Sequence, residues 1–185
     1  MPAILTTPPT VEPISLFEAK AHLRVTHTDD DSYISTLMIA ARRVVEHRFG
    51  LCIMPQSWSV FKDAWPLNGI FSLPLYPVQS ITDLKIYGDD DVAATLDPAH
   101  YYLDTVSRPA RLTLRRGRSF PPPGRSANGL EIKLVTGFTI VPQQLKQALL
   151  ISVADYYQSR GDEDNGTLPQ VAVELLAPYR ETRLT

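Results

Sequence analysis

The chain has 185 residues, 44% of them apolar, and its 18 basic and 20 acidic side chains leave a formal net charge of −2. That length fits one domain, or one domain with arms, and the charge gives no global pull toward nucleic acid, so any such role has to come from a local patch. No apolar run approaches a membrane span, the N-terminus lacks the basic start and apolar core of a signal peptide, and the single cysteine, Cys52, excludes an intrachain disulfide and any multi-cysteine metal site.

A soluble chain made and used in a cytoplasm is the expectation. Residues 1–14 contain Pro2, Pro8, Pro9 and Pro13, few charges and no periodicity, and read as an extended N-terminal arm. Ser15-Leu16-Phe17-Glu18 fits the S-x-x-E capping box, in which hydroxyl and carboxylate satisfy free backbone N–H groups, and predicts a short helix over 15–23. Residues 29–50 follow with Tyr33, Ile34, Leu37, Met38, Ala41, Val44, Val45 and Phe49 at helical spacing. Asp29, Asp30 and Asp31 suit its positive end, Arg42, Arg43, His47 and Arg48 its negative end, and Gly50 its closing turn.

After Gly50 the pattern breaks into short alternating segments. Strands are predicted at 56–62, 69–73, 78–87, 101–104, 110–115 and 130–135, separated by Pro66, Pro74, Pro77 and the turn Gly88-Asp89-Asp90-Asp91. A second long helix, opened by Pro142 and closed by Gly161, is apolar around most of its circumference, so it needs cover from the sheet and from the first long helix or a second subunit. The loop 162–166 precedes a last short helix over 169–177 and a tail. These elements predict an α+β fold that is mainly helical: a small bundle of two long and two short helices with a small antiparallel β part and extended arms. The expected division is an arm at 1–14, a core domain at 15–161, and a C-terminal loop, helix and tail at 162–185.

Catalytic patterns are missing. His22, His27, His47 and His100 show no metal-ligand spacing, and no nucleophile elbow, phosphate loop or dinucleotide fingerprint occurs. The acidic run 162–166 departs from a calcium loop, with glycine fifth and Val173 twelfth, and reads as a solvated loop. The aspartates at 29–31 and 89–91 are explained by helix-end and turn roles. No enzyme, cofactor or metal site is expected.

One feature stands out. Arg108, Arg111, Arg115, Arg116, Arg118 and Arg125 fall within 18 residues that contain no acid and are half strand, half proline-rich loop. Two readings stay open: a solvated edge strand and loop, or a basic loop facing an anionic protein surface or a nucleic-acid backbone. Without interleaved aromatics it would touch phosphate without reading sequence.

The order of parts resembles a known family. A long helix ending at Arg42, Val45, Glu46, Phe49 and Gly50, the run Leu73-Pro74 through Pro77-Val78-Gln79-Ser80-Ile81 to Tyr87, the Val135-Thr136-Gly137-Phe138 strand end, a Pro142-opened helix carrying Asp155-Tyr156-Tyr157, and Leu175-Leu176-Ala177-Pro178-Tyr179-Arg180 are together similar to the head-to-tail connector (adaptor) proteins of long-tailed phages and related gene-transfer particles. The resemblance implies a non-enzymatic subunit of the virion neck, assembled in the host cytoplasm, in a ring of copies beneath the portal, expected to be a dodecamer. That ring would extend the channel through which double-stranded DNA passes without sequence-specific binding, and would contact a head-closure or tail-completion protein; no membrane is involved. It further implies portal docking through Leu175, Leu176, Tyr179 and Arg180, and makes the polar face carrying Arg42, Arg43 and Glu46 a candidate subunit interface, the alternative being a solvated face. A head-closure or tail-completion neck protein is the rival identity, and a nucleic-acid-binding module a more distant one.

Overall fold

The computed structural model describes residues 2–159 and 167–180. Gly161, expected to close the second long helix, and the acidic loop 162–166 lie outside the described residues. The chain divides into two compact units, each made of two stretches: Met1–Pro9 with Pro55–Gly137, and Thr10–Met54 with Phe138–Thr185.

The first unit is built of β-strands, with one 3-10 turn at Pro98–His100. Its strands are β1 (Ala3–Thr7), β2 (Gln56–Lys62), β3 (Ile70–Ser72), β4 (Val78–Tyr87), β5 (Ala93–Thr95), β6 (Tyr101–Asp104), β7 (Arg111–Leu114) and β8 (Leu130–Thr136). Five of them form a sheet in the order β1-β2-β8-β4-β5, and three a second sheet in the order β3-β7-β6, with every neighbour antiparallel. β8 runs through the middle of the larger sheet: its Ile132 lies opposite Val60 on β2 and Leu84 on β4. In the smaller sheet Leu112 lies opposite Phe71 and Leu103. These side chains meet in one apolar core with Leu73, Leu130 and Leu134, all buried. Each such aliphatic contributes roughly 1.5–3 kcal/mol by leaving water, which is why the alternating segments hold as strands.

The second unit is helical: α1 (Leu16–Leu23), α2 (Asp31–Phe49), α3 (Gln143–Gln158) and α4 (Gln170–Leu176), the last running into a 3-10 turn at Ala177–Tyr179. Ser15 and Glu18 make both bonds of the capping box. Those bonds, first from the Ser15 backbone N–H, hold the Glu18 carboxyl below its ordinary pKa. Gly50 closes α2 in the left-handed conformation at φ 63°, which a side chain would resist. Pro142 precedes α3 as its cap residue, so the helix begins at Gln143. α3 packs against α1, α2 and α4 and buries Leu145, Ala148, Leu149, Val153 and Tyr156, which accounts for its apolar circumference.

The expected mainly helical bundle with a small β part is corrected. Helix makes up 33% of the described residues and strand 26%, in two antiparallel sheets, so the fold is a sheet-rich α+β one. The reason is physical. Helices of 19 and 16 residues carry their signal locally, whereas β1 and β5 span five and three residues. β1 exists because of hydrogen bonds to β2, more than fifty residues on, and the three-residue β5 is held only by its turn onto β4.

Candidate functional site

The arginine-rich segment runs from the end of the β6–β7 connection, through β7, into the loop before β8, all within the first unit. Four of its six arginines are occupied by that unit itself. The Arg108 guanidinium lies over the Tyr76 ring, 4.0 Å from its centroid. Arg111 donates to Asp104 Oδ2 from Nε (3.1 Å) and Nη2 (2.7 Å), tying β7 to β6. The Ser107 hydroxyl and then Arg111 hold the Asp104 carboxyl well below the usual carboxylate range. Arg115 Nε donates to the Tyr101 carbonyl at 3.0 Å. Arg125 sits over the Tyr87 ring at 4.0 Å and pairs with Asp91.

Only Arg116 and Arg118 remain exposed with no side-chain partner among the described residues. Gly117 between them takes φ 75°, so a tight turn presents the two cations. The loop behind this tip is pinned at several points. The Trp65 and Phe120 rings stack at 3.6 Å, and Trp65 Nε1 donates to the Pro121 carbonyl at 2.8 Å. Gly124 N–H donates to the Tyr87 carbonyl at 2.8 Å. A Cβ on Gly124 would stand 2.1 Å from the Asp89 backbone nitrogen, so only glycine permits this approach. Asn128 N–H donates to Asp63 Oδ1 at 2.8 Å.

Tyr87 extends this support inward. Its hydroxyl donates to Glu131 Oε2 at 2.9 Å, and Glu131 Oε1 accepts from the Ser59 hydroxyl at 2.8 Å. Glu131 is buried on the central strand, so the loop is linked through Arg125 and Tyr87 to the middle of the sheet. Trp65, Phe120, Tyr76 and Tyr87 are the residues that sequence reasoning did not single out. A proline-rich loop flanked by aromatics is the local signal for them, and it does not say which ring meets which arginine.

In the second unit, Arg42 and Glu46 lie away from solvent. Arg42 is 6% exposed; it donates from Nε to Glu12 Oε2 and from Nη1 to Glu46 Oε2, each at 2.7 Å. Burial opposes its charge, but the bond to Glu12 and the field of Glu46 outweigh that and raise its pKa. Glu46 Oε1 also accepts from the Ile53 backbone N–H at 2.8 Å. The trio therefore fastens the end of the N-terminal arm, at Glu12, and the segment after α2 onto α2. Of the three residues considered for a subunit interface, Arg43 is the exposed one.

The C-terminal residues also divide. Leu176 is fully buried in its own unit, Leu175 is half-buried, and Tyr179 meets the Phe138 ring edge-on at 6.1 Å. Arg180 is exposed. Among the described residues no group of three or more His, Cys, Asp or Glu could hold a metal ion, and no helix is long and apolar enough to cross a membrane.

No protein-family model matches the sequence, and no curated protein matches it either. Solved structures do. A chain from the neck of an empty gene transfer agent particle, computed with C6 symmetry, superposes with a TM-score of 0.84 at 22% identity, covering 100% of this chain and 98% of that one. This chain has the fold of a particle-neck protein. A chain of the virion of a native gene transfer agent particle gives a TM-score of 0.83 at 21% identity over 100% and 98% of the two chains. A third, from the neck of a native particle computed with C12 symmetry, gives 0.74 at 23% over 98% and 97%. The neck fold thus includes both units and both stretches of each, with the arginine loop and the C-terminal turn inside the matched length.

Proposed function

We propose that this protein is a structural, non-enzymatic subunit of a virion or gene-transfer-particle neck, a head-tail connector that forms a ring beneath the portal. In that ring it extends the DNA channel and joins the capsid to the tail. The observation that carries the reading is the match, over essentially the whole chain, to chains of particle necks. The motif order from Arg42 to Arg180 supports the connector role more specifically. Necks computed with C6 and C12 symmetry support a ring of copies, for which twelve is the proposed number.

Portal docking is proposed for the C-terminal segment, with Arg180 as the exposed cation and Leu175 and Tyr179 as half-buried apolar contacts beside it. Leu176 holds the segment to its own unit. Arg43 is the member of the α2 polar face available for a seam between copies. Arg116 and Arg118 form the anion-facing tip of the loop, toward DNA in the channel or toward an acidic surface of a head-closure or tail-completion protein.

Copurification tests the docking. The full-length chain should be retained on immobilised portal as an oligomer. Arg180→Ala should weaken retention with no loss of thermal stability, whereas a chain that stays monomeric and unbound contradicts the proposal.

A further inference from the structure

The larger sheet of the first unit ends in two strands, β1 and β5, that have no strand beyond them among the described residues. Natural sheet edges are usually guarded by charge, because unpaired N–H and C=O groups recruit another strand. Neither of these strands carries a charge: β1 reads Ala-Ile-Leu-Thr-Thr and β5 reads Ala-Ala-Thr. Ile4 and Leu5 are 56% and 41% exposed, apolar surface that the isolated chain leaves in water.

The free backbone groups can be assigned. Pro2 O accepts from Phe61 N–H, so alternation along the antiparallel ladder turns Ile4 toward β2 and leaves the N–H and C=O of Ala3 and the N–H of Leu5 pointing outward, before the ladder shifts register by one residue between Leu5 and Thr7. At the other edge Gly88 N–H donates to Val92 O and Leu96 N–H donates to Leu84 O. Ala94 therefore faces β4, and Ala93 and Thr95 point outward.

Strand direction then limits how two copies can join. Five strands, each antiparallel to its neighbour, make β1 and β5 run the same way. Adjacent copies in a twelve-fold ring differ by a rotation of about 30° (360°/12), too little to reverse a strand. An edge contact between them is consequently parallel. In a parallel pair an outward-facing residue lies opposite a residue that faces away, and bonds to the two residues flanking it. Leu5 fits opposite Ala94, its N–H donating to Ala93 O. The side chains agree with this register. Leu5 lies opposite Trp58 and, through it, Leu134; Ala94 lies opposite Ile86 and, through it, Leu130; Leu130 and Leu134 share one face of β8.

Charge is complementary at the same ends. β5 follows the turn that carries Asp89, an exposed acid without a side-chain partner among the described residues, and β1 begins beside Lys62, whose ammonium lies over the Phe71 ring and has no acid partner among them. Parallel pairing brings those two ends together.

We propose that β1 of one copy pairs in parallel with β5 of the next, Leu5 opposite Ala94, joining the five-stranded sheets of the ring into one continuous belt. The inference rests on the ring-forming reading above and supplies the contact that reading lacks: two different, complementary edges on each copy, as a closed ring requires.

Cysteine crosslinking tests the register in the full-length protein. Within one copy positions 5 and 94 lie on opposite edges of the sheet, roughly 19 Å apart at about 4.8 Å per strand, beyond disulfide reach. Leu5→Cys with Ala94→Cys, oxidised in rings verified by negative-stain microscopy, should give a covalent ladder rising to the copy number of the ring. Ile4→Cys with Ala94→Cys, on opposite faces, should not. Intact rings with no ladder, or with equal ladders from both pairs, overturn the pairing and leave the neck assignment standing. Amide exchange on the unmodified chain gives a reading independent of variant folding. Leu5 N–H should slow about tenfold or more on ring formation, and unchanged exchange in rings overturns the pairing. A wild-type chain that forms no ring and binds no portal overturns the neck assignment itself, and the belt with it.

Discussion

Arg42 shows how one side chain can hold a unit together from inside. Its guanidinium bonds Glu12 and Glu46, and Glu46 in turn holds the Ile53 backbone. Removing the cation leaves two partly buried carboxylates facing each other, so Arg42→Ala should cost about 2–4 kcal/mol in urea denaturation. Arg43→Ala, exposed on the same helix, should cost about 0.5 kcal/mol or less. Asp104 carries a pH signature. Its folded pKa is depressed by the Ser107 hydroxyl and Arg111. The stabilisation is therefore present above the ordinary carboxylate pKa of about 4 and is lost as pH falls through the folded value. The difference in Tm between wild type and Asp104→Asn should be constant from pH 8 to about pH 5 and shrink as the solution is made more acid; a gap that widens in acid contradicts the assignment.

Among elements, the arginine loop behaves as a supported turn. The stacked Trp65 and Phe120, the close approach of Gly124 to Tyr87 and the Arg125 pair fix its course, and Arg116 and Arg118 are what it offers outward. Gly124→Ala places a Cβ against the Asp89 backbone and should cost about 1–3 kcal/mol. It should also open the loop to limited proteolysis at residues 116–128, with cutting at wild-type rates as the contrary result. Arg116→Ala with Arg118→Ala should leave Tm unchanged. A salt-dependent duplex affinity lost in this variant assigns the tip to DNA, and intact duplex affinity with weakened neck assembly assigns it to a protein partner.

The loop also marks what could be read from the sequence. α2 was legible because apolar spacing, terminal charges and Gly50 all lie within its own residues, and the same holds for the Ser15–Glu18 box. β1 was not, because nothing in Ala-Ile-Leu-Thr-Thr amid prolines names β2 as its partner. The six arginines were visible as a cluster, yet their division into four occupied and two free depends on Tyr76, Tyr87, Asp91, Asp104 and the Tyr101 carbonyl, brought near by sheet pairing. Arg42 and Glu46 looked like a polar helix face because Glu12, thirty residues away, gives no local sign of reaching them.

At the scale of the whole molecule the chain has a β-sheet unit and a helical unit, and the fold is shared end to end with a chain of a particle neck. A neck ring asks each copy for two different edges and for a surface toward the portal. The uncharged strands β1 and β5 and the exposed Arg180 are the proposed sources. The measurement that bears most directly on this is a cryo-electron map of the neck of the particle that carries this chain. The account predicts a closed ring of twelve copies around the DNA channel immediately beneath the portal, C-terminal turns against the portal and arginine tips facing the channel or the next neck protein. A map that places the chain elsewhere in the particle, or finds the position beneath the portal occupied by another protein, contradicts it.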